Sequence, residues 1–305
     1  MIGDVARVFA EVVLPVFAVA GVGYAFGRWR PVELAPVTAL AVSVLVPAIV
    51  FDSLARAVVP RALLGRLVVH VALQLVVLGL LTAAIGKAAG WEGSGRAALL
   101  MAALFANAGN VGLPLALFAF GPAGLAVAGS WFAVHAVTVH TVGVFIAARA
   151  RAGARAALLR IVRLPIFYAI VAGLLVNAGG VPLPRPAARM VELLAGGALA
   201  VLLLLLGLQL ARLAPRQEAR GAALATALRL LAAPPVAWVT GQALGLQGVA
   251  LSVAVVQAST PTAVTAALWA LEFDTRPALV STAVVLSTVA GVVTLTLLLA
   301  ALPAR

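Results

Sequence analysis

Two short polar stretches interrupt an otherwise apolar chain. ANAGNVGLPLA, residues 106–116, sets Asn107, Gly109, Asn110, Gly112 and Pro114 inside a long apolar run. QASTPTAVTAA, residues 257–267, does the same with Gln257, Ser259, Thr260, Pro261 and Thr262. Backbone broken at Gly and Pro in contact with lipid would leave N–H and C=O groups unpaired, each at a cost of several kcal/mol. Such breaks persist only where protein or a polar cavity surrounds them. The chemistry on offer is hydrogen bonding by neutral amides and hydroxyls, with the free N–H groups of a helix start beside them. Proline is favoured at the first helical position, so Pro114 and Pro261 are expected to open the second half-helices. Each such start carries a partial positive charge, and two of them face to face make an anion site. Asn107 and Gln257 are expected to donate to that anion, with the N–H groups around Gly112 and Thr262. The alternative is that Pro and Gly only kink the two helices, with the polar side chains re-satisfying the backbone.

The elements that must position these breaks are membrane helices. The chain has 305 residues, 64% of them apolar and 10% charged, with a mean hydropathy of +1.18. A soluble domain carries roughly 25% charged residues. The expected fold is an all-α membrane protein with spans near 8–29, 34–54, 66–88, 97–120, 123–148, 164–180, 187–212, 221–244, 248–270 and 276–301. Spans four and nine contain the breaks. A basic linker, 149–163, divides the chain into 1–148 and 164–305, five spans each. Leu14-Pro15-Val16-Phe17 is echoed by Leu164-Pro165-Ile166-Phe167 at an offset of 150, which Asn107 and Gln257 share. An odd number of spans per half makes the second half enter from the opposite side, an inverted repeat with paired broken helices.

The net charge of +12 does not point to nucleic acid, because the arginines are scattered between apolar runs. Thirteen Lys and Arg fall in loops 1–2, 3–4, 5–6, 7–8 and 9–10, against seven on the other side. The positive-inside rule puts the first set in the cytoplasm and both termini outside. The chain has no cysteine, so neither a disulfide framework nor a thiolate metal site is expected, and no motif asks for a cofactor.

Ionisable residues inside spans are candidates for coupling or gating. Asp52 lies near the outer end of span two with Arg56 one turn on, as an i,i+4 pair or as a carboxylate in the outer vestibule. His135 and His140 lie in span five, near opposite sides of a helix, and either bond neighbouring helices or carry a proton. Arg229, several residues into span eight, either snorkels to the cytoplasmic face or serves a carboxylate substrate as counter-ion.

NAGNVGLPLALFAFGPAGL in span four, QASTPTAVTAALWALEFDTRPALVSTAVVLST from span nine onwards, and Val46-Pro47-Ala48-Ile49-Val50-Phe51 in span two resemble the crossover and span-two patterns of the auxin efflux carrier family. That family of permeases is related to the plant PIN carriers and to the bile acid/sodium symporters. The resemblance implies a bile-acid-symporter-like fold, with a scaffold of spans 1, 2, 6 and 7 and a mobile core of spans 3–5 and 8–10. It implies carboxylate substrates such as malate, malonate or auxin-like acids, and a homodimer through spans two and seven, where Leu202 to Leu206 offer an apolar face. The sodium-coupled symporters place an acid in the ninth-span crossover; here the position has Gln257 and no acid, which argues against sodium.

The expected function is therefore secondary transport of small organic anions by elevator-type alternating access, in a bacterial or archaeal plasma membrane. The alternatives are a proton- or sodium-coupled symporter of another small solute, or a channel or sensor. An intramembrane enzyme is disfavoured, since the chain has no His-Glu-x-x-His and no Gly-x-Ser-x-Gly. The native absence of cysteine makes topology directly testable. Arg155→Cys should react with an impermeant maleimide only from the cytoplasmic side; labelling from outside intact cells would invert the assignment.

Overall fold

A computed structural model describes residues 2–55, 60–143, 146, 165–180, 182–213 and 218–302. The linker 149–163 and Arg56 lie outside these, as does the side chain of His140. The described residues are helical throughout, joined by short turns, with one isolated β-bridge. Among the described residues, seven helices are long and apolar enough to cross a membrane: Asp4–Trp29, Leu34–Ala55, Ala62–Ala88, Ala108–Thr138, Arg185–Leu210, Ala219–Ala243 and Pro277–Ala301. Three shorter apolar helices, Gly93–Leu104, Pro165–Gly179 and Gly248–Ser259, complete the apolar set.

The expected breaks are present, but not where the prolines place them. Span four consists of Gly93–Leu104, an extended Phe105–Asn107, and a helix that restarts at Ala108 through a π turn, Ala108–Gly112. Pro114 therefore sits a full turn inside the second half-helix. Span nine consists of Gly248–Ser259, an extended stretch, and Val264–Glu272. Pro261 lies in the extended stretch, where its missing N–H costs nothing and its carbonyl is used by the other break. The continuous helix from Leu113 bends at Gly121, whose φ of 67° and ψ of −163° exclude a side chain. Gly121 separates span four from span five.

In lipid, helices gain little from apolar contact as such, so association depends on close fit between small residues. Span seven packs along span one, and span six along span two. At the first crossing a methyl group on Gly23 would overlap the Leu204 carbonyl, and one on Gly207 would overlap the Ala20 carbonyl. At the second, a methyl on Gly173 would come within 2.9 Å of Leu54 Cβ and 3.2 Å of the Phe51 carbonyl. Gly23 and Gly173 share the offset of 150, as do Leu204 and Leu54. The broken spans do not follow that offset. Their first half-helices match at 155, Gly93 with Gly248 and Leu104 with Ser259. Asn107 and Gln257 are thus not counterparts: Asn107 lies in a break, Gln257 in the last turn of a helix.

Span seven turns most of its expected apolar face inward and leaves Leu204 exposed. Leu202, Leu203, Leu205 and Leu206 are all buried within the chain itself. At one end, Arg212 donates to the Val32 carbonyl, Arg276 pairs with Glu218 at 3.1 Å, and the Arg276 guanidinium lies 5.4 Å from the Trp91 ring centroid. These contacts bring loops 1–2, 3–4, 7–8 and 9–10 together. At the other end, Arg66 donates to the Gly245 carbonyl at 2.9 Å.

The close crossing makes two glycines of one helix behave oppositely. Gly207→Ala forces backbone apart and should cost about 1–3 kcal/mol. Gly197→Ala meets nothing within 4 Å and should gain up to about 1 kcal/mol from helix propensity. Thermal unfolding of the two variants in one detergent checks the pair.

Candidate functional site

The two breaks satisfy each other. Asn107 N–H donates to the Pro261 carbonyl at 2.7 Å, and Ala263 N–H donates to the Phe105 carbonyl at 2.8 Å. Ala106 and Thr262 form the antiparallel bridge between them. Side chains from neighbouring spans take up the remaining backbone groups. Ser287 Oγ of span ten accepts Thr262 N–H at 3.0 Å, and Thr262 Oγ1 donates to the Ala102 carbonyl at 2.7 Å. Arg229 Nη1 donates to the Ala103 and Leu104 carbonyls at 2.9 and 3.1 Å, capping the first half-helix of span four. His135 Nε2 lies 3.2 Å from the Ala106 carbonyl, and its ring stacks on Trp131 with centroids 4.8 Å apart.

Beside this crossing lies a cavity of about 190 Å³. One wall is built from spans four, five and nine: Ala106 to Asn110 in part, Phe132, His135 and Val139, and Ala263 to Thr265. The facing wall comes from spans two, six and seven, including Thr38, Val46, Ile166, Leu202 and Gln209. The stretch from Thr38 to Val46 implies a length of roughly 12 Å along the helix axis. Thr38 and Gln209 belong to the turns nearest loops 1–2 and 7–8, so the cavity extends from the crossing toward that end. Three π turns border it, Ala41–Leu45, Ala108–Gly112 and Val139–Gly143. A π turn widens the helix and re-aims its side chains, and such turns concentrate at functional sites.

Both restarted helices begin at this cavity. The first N–H groups of a helix have no intrahelical acceptor, and the helix starts here are lined up through Gly109 and Asn110 on one side and Val264 and Thr265 on the other. Asn107 is 5% exposed, lines the cavity, and its Nδ2 has no hydrogen-bond partner. Gln209 Oε1, on the opposite wall, is also buried without a partner.

The other expected site residues fall elsewhere. Gln257 does not line the cavity; its Nε2 donates to the Ala128 carbonyl at 3.3 Å, and its Oε1 packs against Gly112, where any Cβ would overlap it. Ser259 and Thr260 return their hydroxyls to the carbonyls of Val255 and Gln257 at 2.6 and 3.0 Å. The N–H groups expected to be free at Gly112 and Thr262 are engaged, by the Asn107 carbonyl at 3.3 Å and by Ser287. Asp52 lines a separate cavity with Pro60, Leu63, Pro122 and Val249. Arg229 is 1% exposed, so it does not snorkel, and it is not part of the cavity lining.

Sequence reasoning passed over Gln209, Thr38, Thr265 and His70. His70 Nδ1 accepts the Trp131 indole N–H at 3.2 Å while its Nε2 lies 3.0 Å from the Ala237 carbonyl. It fixes the ring against which His135 stacks. Gln209 had a visible signal, the lone amide in the run LLLLLGLQL.

Apolar helices long enough to span a bilayer, two of them broken and paired beside a buried cavity, define a multi-pass membrane carrier. The chain belongs to the Membrane transport protein family, whose model matches residues 8–299, and with it to the auxin efflux carriers it resembles. It is 27% identical over 294 residues to an uncharacterized transporter of Methanothermobacter thermautotrophicus, covering 94% of this chain and 96% of the relative. It is 37% identical over 109 residues to the probable auxin efflux carrier component 1b of Oryza sativa, covering 35% of this chain and 20% of the relative. For auxin efflux carrier component 1 of Arabidopsis thaliana the figures are 36% over 108 residues, with 34% and 17% covered. The match to the plant carriers thus spans about a fifth of their length. The family is one of membrane transporters and not of enzymes.

The hydrogen bond from Thr262 to Ser287 generates a stability prediction. Ser287→Ala removes the acceptor and leaves a buried N–H unpaired, which should cost about 1–3 kcal/mol. Unfolding in detergent measures it; a parent-like midpoint would show that another group takes the N–H.

Proposed function

We propose that this chain carries small organic anions, carboxylates above all, by alternating access at the cavity beside the crossing. The observation that carries this reading is the unpartnered, buried Nδ2 of Asn107, a residue that lines the same cavity as two helix starts. A buried amide without a partner is costly unless a ligand or water takes the bond. Donors from Asn107 and from the helix starts converge, and charge-assisted hydrogen bonds of about 1.5–3 kcal/mol each can hold a desolvated carboxylate. Among the described residues, the lining has no carboxylate, and its one titratable side chain is His135. His135 is the candidate for proton coupling.

In this reading the architecture is ten spans in an inverted five-plus-five repeat, with both termini outside. Support comes from the paired crossings of spans one with seven and six with two, joined through Gly23 and Gly173, and from the common length of the first half-helices of spans four and nine. Spans one, two, six and seven form the scaffold. Spans three to five and eight to ten form a core that moves past it as an elevator. The cavity wall division follows that boundary. With loops 1–2 and 7–8 in the cytoplasm, the cavity faces inward. The printed names of the plant relatives, auxin efflux carriers, favour an organic acid. A homodimer through the scaffold could use Leu204, which is exposed, but not its buried neighbours Leu202, Leu203, Leu205 and Leu206.

Asn107→Ala should weaken binding of the transported carboxylate roughly tenfold, the worth of one such hydrogen bond, with the fold intact. Proteoliposome uptake of radiolabelled malate, malonate and indole-3-acetate, with parent and variant side by side, makes the comparison. Uptake of any of these by the variant at the parent's rate and half-saturation would move the site away from Asn107.

A further inference from the structure

Four half-helix ends meet at the crossing, and their dipoles oppose one another. The starts at Ala108 and Val264 each present about half a positive charge, and the ends at Leu104 and Ser259 each present about half a negative one. Summed over the crossing, two helix starts and two helix ends cancel. Hydrogen-bond donors alone therefore do not make the place attractive to an anion over a cation. A selective site needs one of the poles removed.

Arg229 removes one. Its guanidinium, which stays protonated in proteins, donates through Nη1 to Ala103 and Leu104 at the negative pole of the first half-helix of span four. It is 1% exposed, and Nε and Nη2 have no partner, so no carboxylate among the described residues neutralises it. Among the described residues, the other negative pole, at Ser259, is met by neutral groups, the hydroxyls of Ser259 and Thr260 and the Thr260 N–H. An unpaired cation buried in a membrane core is costly and calls for a compensating interaction. One helix end of about half a charge covers part of it. The remainder is a positive field at the crossing, with the cavity lined by Asn107 and Asn110 three to seven residues beyond the capped carbonyls.

We propose that Arg229 selects the sign of the ligand without touching it, making the cavity accept anions and reject cations. This deepens the proposed function and rests on the same cavity. Arg229 is a positioning and field-setting residue, not a binding one. It holds the span-four half-helix end and charges the site from behind.

The test reads the field directly and does not need the substrate. The native chain has no cysteine, so Asn110→Cys places one thiol on the cavity wall. Its modification rates are measured with a sulfonate-bearing, a trimethylammonium-bearing and a neutral methanethiosulfonate, each normalised to the rate with a free thiol. Ionic strength of about 0.3 M screens the basic surface and leaves a buried charge in force. With Arg229 in place the anionic reagent should react faster than the cationic one. Adding Arg229→Met should lower the anion-to-cation ratio about tenfold, a buried unit charge acting through a protein interior, while the neutral reagent changes little. Adding Arg229→Lys should keep the ratio within about twofold of Asn110→Cys alone. A cationic preference with Arg229 intact overturns the proposal, and this arm stands even where Arg229→Met does not fold. An unchanged ratio in Arg229→Met overturns it too. In parallel, binding of indole-3-acetate is compared with that of its neutral amide. Loss of the acid alone in Arg229→Met supports field selection, and equal loss of both marks a structural cap and overturns it. A parent that binds no carboxylate while the reagent ratio shifts as expected would sink the proposed substrate and leave the field in place.

Discussion

The molecule turns on one short pairing of backbone. Two helices unwind inside an apolar protein, and the broken segments donate N–H groups to one another, Asn107 to Pro261 and Ala263 to Phe105. Neither break is tolerable alone, because the groups it frees would have no acceptor in hydrocarbon. Together they form a two-rung ladder that keeps the half-helices end to end and fixes where their poles lie. Ser287, Thr262 and Arg229 close what the ladder leaves open. Pro261 illustrates the logic: it cannot donate, so it occupies the one position where only its carbonyl is asked for.

The cavity follows from that arrangement. A helix that restarts in mid-protein exposes its first N–H groups at the restart, so the paired breaks place two donor sets beside one void. The opposite wall belongs to helices that are packed by glycine against backbone, Gly23 and Gly207 at one crossing and Gly173 at the other. Contacts of that closeness leave little room for sliding. On the other side, the Trp131 indole N–H of span five donates to His70 of span three, and His135 of span five lies beside the Ala106 carbonyl of span four.

Much of this was legible in the sequence, for identifiable reasons. Apolar run length and loop arginines located the helices to within a few residues for spans six, seven, eight and ten. The breaks were visible because Gly, Pro and amides stand out in hydrocarbon-facing composition. What the sequence could not convey was rotational phase. Helical periodicity assigns faces only while the helix continues, and it is lost across an extended stretch. That is why Gln257, two residues before its break, seemed to be a partner of Asn107 and instead faces Ala128 and Gly112. The offset of 150 is kept by the scaffold crossings and lengthened to 155 in the broken spans, so an echo valid in one part misled in another. Gln209 and Thr38, in terminal turns of their spans, were passed over because position along a helix does not reveal that a cavity reaches so far.

Arg229 shows how burial and role come apart. A charge in a membrane span suggests direct contact with a substrate, yet this side chain caps the carbonyl end of a half-helix at the crossing and does not line the cavity. Its position still matters to the void, because the pole it caps lies at the crossing. Neutralising the carbonyl end of Gly93–Leu104 leaves the starts at Ala108 and Val264 less opposed. The asymmetry between the breaks, one capped by a cation and the other by hydroxyls, lets two otherwise similar crossings add up to a site with a sign. A symmetric crossing, with a cation at both ends or at neither, would be either over-charged when empty or indifferent to its ligand. One buried guanidinium set behind the site lies between those limits.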